Sequence, residues 1–144
     1  MIKIICVGKI KESYLREAIS DYEKRISKYH RLDLIYVPDS NMKDEAKKIF
    51  QYIKSDDYVI TMDICGTELS SVEFANMIDK LFITNSNIVF VIGGSDGIDV
   101  SVKGRSNYAL SFSKLTFPHQ LFRVLLLEQI YRSFKIMNNE TYHK

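Results

Sequence analysis

Cysteine is scarce: Cys6 and Cys65 are the only two in 144 residues, each inside an apolar run and without C-x-x-C spacing. That scarcity argues against a disulfide scaffold or a structural zinc site, and both read as small buried hydrophobes in a reducing cytosol. No run reaches the ~20 apolar residues of a membrane span. The opening MIKIICVGKI has too short an apolar stretch for a secretion signal and reads as a first strand, so a cytoplasmic protein is expected. With two prolines and six glycines there is no linker, repeat or low-complexity stretch. G-x-G-x-x-G and G-x-x-x-x-G-K-[ST] are both missing, which disfavours a dinucleotide enzyme and a P-loop ATPase. Neither a Ser/His/Asp triad nor a metal-ligand cluster is supported.

What is present fits one domain over residues 1–144: 46% hydrophobic and 26% charged residues, enough for a proper core. The net charge of +2 is uneven. Residues 105–144 hold six Lys/Arg against two Asp/Glu, or +4, which leaves −2 for the rest. A positive C-terminal end fits an anionic partner and fits a solvated face equally well.

Two periods alternate along the chain. IKIICV is strand-like, and Tyr14, Leu15, Ala18, Ile19, Tyr22 and Ile26 then recur at helical spacing. His30 closes that helix, where it would complement the helix dipole. LDLIYVP ends at Pro38, and Asp39 or Ser40 then caps a helix with the stripe Met42, Ala46, Ile49, Phe50 and Ile53. DYVITMDI is a third strand. Ser70 and Glu73 form a capping-box signature ahead of Phe74, Met77, Ile78 and Leu81. IVFVI, residues 88–92, has the continuous apolar character of a strand buried on both faces. The expectation is an α/β domain with a mostly parallel sheet and helices on both faces, whose ligands sit beyond the carboxyl ends of the strands.

The loops after strands three, four and five are therefore the ones to read for chemistry. GGSDG, residues 93–97, is either an ordinary tight turn or a loop whose backbone approaches a ligand. A short strand, Tyr108 to Ser111, leads through SKLTFP to a helix in which Pro118 occupies the first turn and Thr116 is the cap. That helix carries Leu121, Phe122, Val124, Leu125, Leu126, Leu127, Ile130, Tyr131 and Phe134, too many apolar positions for one stripe. Burial on two sides is expected, one against the sheet and one against a second copy of the chain; a charge at Leu126 or Leu127 should then weaken a homodimer. His119 alone reads as a structural residue. Glu128 and Arg132, at i and i+4, form either a surface ion pair or an arginine held ready for an anionic substrate.

Taken together, FVIGGSDG, RSNYALSFSKLTFPHQLFRVLLLEQIYR and the terminal FKIMNNETYHK resemble one family along the whole chain. It is the small SPOUT-class methyltransferases that methylate N3 of a pseudouridine in large-subunit (23S) ribosomal RNA. The resemblance implies a C-terminal trefoil knot, S-adenosylmethionine as cofactor, and ribosomal RNA or the ribosome as partner, with no metal and no membrane. It implies cofactor contacts at Met62, Gly93, Phe112, Ser113, Lys114, Leu115, Thr116 and Phe117. It also implies a working terminus: Tyr142 and His143 with Arg132 in catalysis, and Lys144 with Arg132 on the RNA. Gly93→Val is expected to fill ligand space with the fold intact. The rival expectations are a non-catalytic ribosome-binding or assembly factor and a SPOUT enzyme acting on transfer RNA.

Overall fold

In the computed structural model, which describes residues 1–144, five strands and five helices follow the order β1 (Ile2–Val7), α1 (Ser13–Ser27), β2 (Leu32–Val37), α2 (Met42–Phe50), β3 (Tyr58–Glu68), α3 (Ser71–Thr84), β4 (Ile88–Ile92), α4 (Val100–Arg105), β5 (Tyr108–Ser111) and α5 (His119–Met137). All strand pairs are parallel, in the order β2-β1-β4-β3-β5. Period-two alternation splits the strands between two cores. Ile2, Ile4, Cys6, Phe90 and Leu110 face α1, α3 and α5, while Ile5, Val7, Val89 and Val91 face α2 and α4. The expected α/β sheet with helices on both faces is what the chain forms. β4, buried at all five positions, sits near its centre.

Several local readings are corrected. The cap of α2 is Asn41, whose side chain accepts from the Asp44 amide at 2.9 Å, rather than Asp39 or Ser40. Ser40 instead donates its amide to buried Glu45 at 2.8 Å. Thr116 caps nothing: Pro118 is the N-cap of α5, with no side-chain bond. The capping box at Ser70 and Glu73 is present in both directions. Helix α4 was not read from the sequence, because six residues with one buried side chain, Val102, give no periodicity to see. Cys6 is buried but Cys65 is exposed. It lies where β3 arches away from β5: Met62 and Thr67 both pair with Leu110, and the residues between them bulge out.

α5 lies between α1 and α3, so part of its apolar excess is covered within the chain. Leu126, Leu127, Ile130 and Phe134 are core residues. A charge at Leu126 or Leu127 would break the fold and would not report on a dimer. Leu121 is 38% exposed, and Phe122, Val124 and Leu125 are half-buried.

His30 does not serve the dipole of α1. Its ring packs 4.5 Å from Phe82 and 6.0 Å from Phe134, and its Nε2 has no hydrogen-bond partner. Burial, and then the charged amino terminus, hold its pKa below the ordinary value. The unfolded chain therefore takes up this proton first, at about pH 6.5. Stability from the neutral ring is complete above that pH and is lost as pH falls toward the folded pKa. Urea midpoints at pH 7.5 and 5.5 should drop more for wild type than for His30→Leu.

A cavity at the strand ends and a cluster at the C-terminus

The start of the bulge in β3, the loops that follow β4 and β5, and the first turn of α5 line a cavity of about 290 Å³. Its walls include Met62, Ile92, Leu110, Phe112, Phe117 and Phe122, and its polar lining comes from Ser111, Ser113, Thr116, His119 and the glycine loop. Aromatic packing stiffens one side: Phe112 lies 4.9 Å from Phe122 and 6.5 Å from Phe74. The loop between β5 and α5 holds its shape through its own serines. Ser111 Oγ donates to the Ser113 carbonyl at 3.0 Å, and the Leu115 amide donates to Ser113 Oγ at 3.0 Å. At the mouth, Ile64 and Leu115 are exposed apolar side chains, and Lys103 spans 3.5 Å to Asp63.

Of the eight residues expected around a cofactor, seven line this one cavity: Met62, Gly93, Phe112, Ser113, Leu115, Thr116 and Phe117. Lys114 is exposed and does not line it. The glycine loop is both a tight turn and a wall. Gly97 donates its amide to the Gly94 carbonyl at 3.0 Å, and Gly93, Gly94 and Gly97 all face the cavity. A Cβ on Gly93 would sit 2.7 Å from the backbone of Gly97 and 2.8 Å from Ile98. Valine there breaks the loop and does not simply fill ligand space. Gly97 has φ +89° and nothing within 4 Å of a built Cβ, so of these three it is the glycine with open space beside it.

His119 and Phe122 also line the cavity but were not assigned to it from the sequence. Only their place at the start of a helix that follows the loop could have found them.

Arg132, Tyr142 and His143 form a second group. Glu128 Oε1 accepts from Arg132 Nη2 at 2.6 Å and Nε at 3.0 Å, and from the Tyr142 hydroxyl at 3.1 Å. Arg132 lies 4.8 Å over the Tyr142 ring, whose other contact is edge-on to Tyr131 at 5.0 Å. Burial, and then the Glu128 carboxylate, push the Tyr142 hydroxyl up to about 12. Arg132 Nη1 reaches His143 Nδ1 at 3.0 Å. An arginine can only donate, so Nδ1 accepts and a neutral ring carries its proton on Nε2. The end of the chain is folded back: Glu140 accepts from Tyr29 at 2.8 Å and Lys135 at 2.9 Å, and Asn139 takes φ 53° to turn it. Lys144 is exposed, with no ion pair.

The two groups are ten residues apart on α5, from Phe122 to Arg132, or about 15 Å of helix. A smaller cavity of about 240 Å³ lies between them. It shares Leu110, Phe112 and Phe117 with the first and reaches Glu128 and Gln129. No group of three His, Cys, Asp or Glu side chains is arranged to hold a metal ion, and no helix is long and apolar enough to cross a membrane.

The chain is similar to known proteins along its whole length. The ribosomal RNA large subunit methyltransferase H of Clostridium beijerinckii is 52% identical, with 99% of each chain covered. The protein of that name from Caldicellulosiruptor saccharolyticus is 48% identical over the whole of both chains. Among solved structures, a probable methylase family protein from Haemophilus influenzae superposes with a TM-score of 0.61 at 16% identity, covering 99% of this chain and 70% of that one, a likeness of fold alone. The family model described as "Predicted SPOUT methyltransferase" matches residues 1–143, and the chain belongs to the SPOUT methyltransferase family.

Proposed function

We propose that this protein uses S-adenosylmethionine to methylate N3 of a pseudouridine in large-subunit ribosomal RNA, acting in the cytoplasm on assembled ribosomes. The observation that carries the reading is the near-full-length likeness to proteins named as ribosomal RNA large subunit methyltransferases, 52% identical in one case. The cavity fits the cofactor. It is mostly apolar with a few polar groups, as small-molecule sites are, and the open space beside Gly97 lets a ligand approach backbone closely. Met62, Leu115 and Phe117 would wall the cofactor, while the backbone of the loop from Phe112 to Thr116 meets its polar edges.

S-adenosylmethionine carries its methyl group on a sulfonium, so the donor needs no further activation. What remains for the protein is to aim N3 at that methyl and to accept the N3 proton. Arg132 and Lys144 would attract the RNA backbone. Tyr142 would present a ring to the base once released from Tyr131, and His143 Nδ1 would take the proton on exchanging its bond with Arg132.

A C-terminal trefoil knot belongs to the same proposal. A Cβ on Gly66 would meet the Ala109 carbonyl oxygen at 2.6 Å, so after its bulge β3 returns tightly against β5, just before the chain turns toward α5.

A homodimer completes the site. Leu121 and Leu125 leave an apolar strip on the outer face of α5. Antiparallel pairing of two α5 helices about Leu125 would bring the partner's C-terminal cluster beside this chain's cavity and close the 15 Å gap. Leu125→Glu should give a folded monomer by sedimentation at micromolar concentration; a dimer unchanged by this substitution contradicts the pairing.

The test of the activity is incubation with labelled S-adenosylmethionine and ribosomes from a strain lacking the gene. Label in large-subunit RNA supports the proposal. Label only in transfer RNA, or cofactor binding without transfer, would replace it.

A further inference from the structure

The loop from Gly8 to Glu12 joins β1 to α1 at the same end of the sheet as the cavity, and three side chains hold its backbone. Arg123, from the first turns of α5, is 2% exposed and has no carboxylate partner. Its Nη1 donates to the Gly8 carbonyl at 2.7 Å and its Nη2 to the Val7 carbonyl. Arg16 donates to the carbonyls of Ile10 at 3.2 Å and Lys11 at 2.9 Å. Gln120 accepts from the Lys11 amide at 3.1 Å. Gly8 takes φ +87° to make the turn, and Ile10, 8% exposed, anchors it in the core. Committing a buried guanidinium to two carbonyls is costly in solvation, and its visible result is a loop of fixed shape.

That loop displays two cations. Lys9 and Lys11 flank the inward Ile10, both are exposed, and neither makes an ion pair. Gln120 follows His119, which lines the cavity, and a Cβ on cavity-lining Gly94 would lie 3.1 Å from Val7 at the base of the loop. The lysines thus stand at the rim of the proposed methyl-transfer site. On a loop already ordered, the backbone cost of binding an anion is met before the partner arrives.

We infer that Lys9 and Lys11 form a pre-ordered contact for the phosphate backbone of the RNA substrate, held at the cavity rim by Arg123, Arg16 and Gln120. The inference rests on the ribosomal RNA reading above. These lysines are positioning residues, remote from the reacting atoms, so they act on substrate capture and leave the chemical step alone.

The test compares wild type, Lys9→Ala/Lys11→Ala, Lys9→Arg/Lys11→Arg and the control Lys28→Ala/Lys54→Ala, which removes the same charge from the opposite end of the sheet. Methylation of ribosomes is followed between 50 and 200 mM salt, with S-adenosylmethionine affinity measured in parallel. The alanine pair should raise KM for ribosomes on the order of tenfold and flatten log KM against log salt by about 1.5, from two lost phosphate contacts. Its kcat and cofactor affinity should be unchanged, and the arginine pair and the control should behave as wild type. Wild-type KM and salt slope in the alanine pair, a loss in kcat alone, or an equal effect in the control would each overturn the inference. If wild type itself leaves ribosomes unmethylated, the reading beneath it fails, an outcome visible without any variant.

Discussion

Removing Tyr142, His143 and Lys144 should lower ribosome methylation on the order of 10²–10⁴-fold, the range a positioned acid or base supplies, while S-adenosylmethionine binds as in wild type. None of the three lines the cavity, and the bonds that anchor the segment, Tyr29 and Lys135 to Glu140, survive the truncation. What is lost is the ring over which Arg132 lies and the imidazole it holds. Calorimetry with the cofactor and a single-turnover methylation assay separate the two effects. Methylation at the wild-type rate would leave the terminus without a part in the reaction.

Gly97→Val should have the opposite signature: a folded protein that no longer binds the cofactor well. At φ +89° a side chain is strained by roughly 1–2 kcal/mol, which a domain of ordinary stability, about 5–15 kcal/mol, withstands. Gly97 lines the cavity and nothing lies within 4 Å of a Cβ built there, so the valine is expected to take up ligand space; overfilling a site by that much costs about 1–3 kcal/mol, a loss of roughly 5- to 150-fold in affinity. Isothermal titration with S-adenosylmethionine, alongside circular dichroism to confirm folding, measures it. Undiminished affinity in folded Gly97→Val would move the cofactor out of this cavity.

The sheet was legible chiefly because β1 and β4 are runs whose residues are all needed inside. IKIICV and IVFVI are buried at every position, and uninterrupted apolar runs admit little else between helical patterns. The α3 start was legible because both halves of a capping box are written in the sequence. Caps that depend on where the chain arrives were not: three adjacent residues could cap α2, and it is Asn41 whose side chain meets the Asp44 amide while Ser40 is engaged with Glu45. α5 misled for a related reason. Its excess of apolar residues is a property of the helix, but which neighbours cover it is a property of topology, and α1 and α3 take Leu126 and Leu127 inside.

The candidate site was legible in its loops and through the family resemblance, much less in its helix. Seven of the eight expected cofactor residues meet in one cavity because the bulged end of β3 and the loops after β4 and β5 converge at the carboxyl end of the sheet. His119 and Phe122 joined them through the direction in which α5 starts, which no spacing rule encodes. Arg123 was read past altogether: an arginine inside LFRVLLL looks like a solvated charge, and only the fold shows it buried on the carbonyls of Val7 and Gly8.

The most direct test of the account is to map modified nucleotides in large-subunit ribosomal RNA from cells with and without the gene, by mass spectrometry of nuclease fragments. The account predicts one N3-methylpseudouridine that is missing in the deletion strain and is restored by wild type but not by the chain ending at Thr141. An unchanged set of large-subunit modifications in the deletion strain would contradict it.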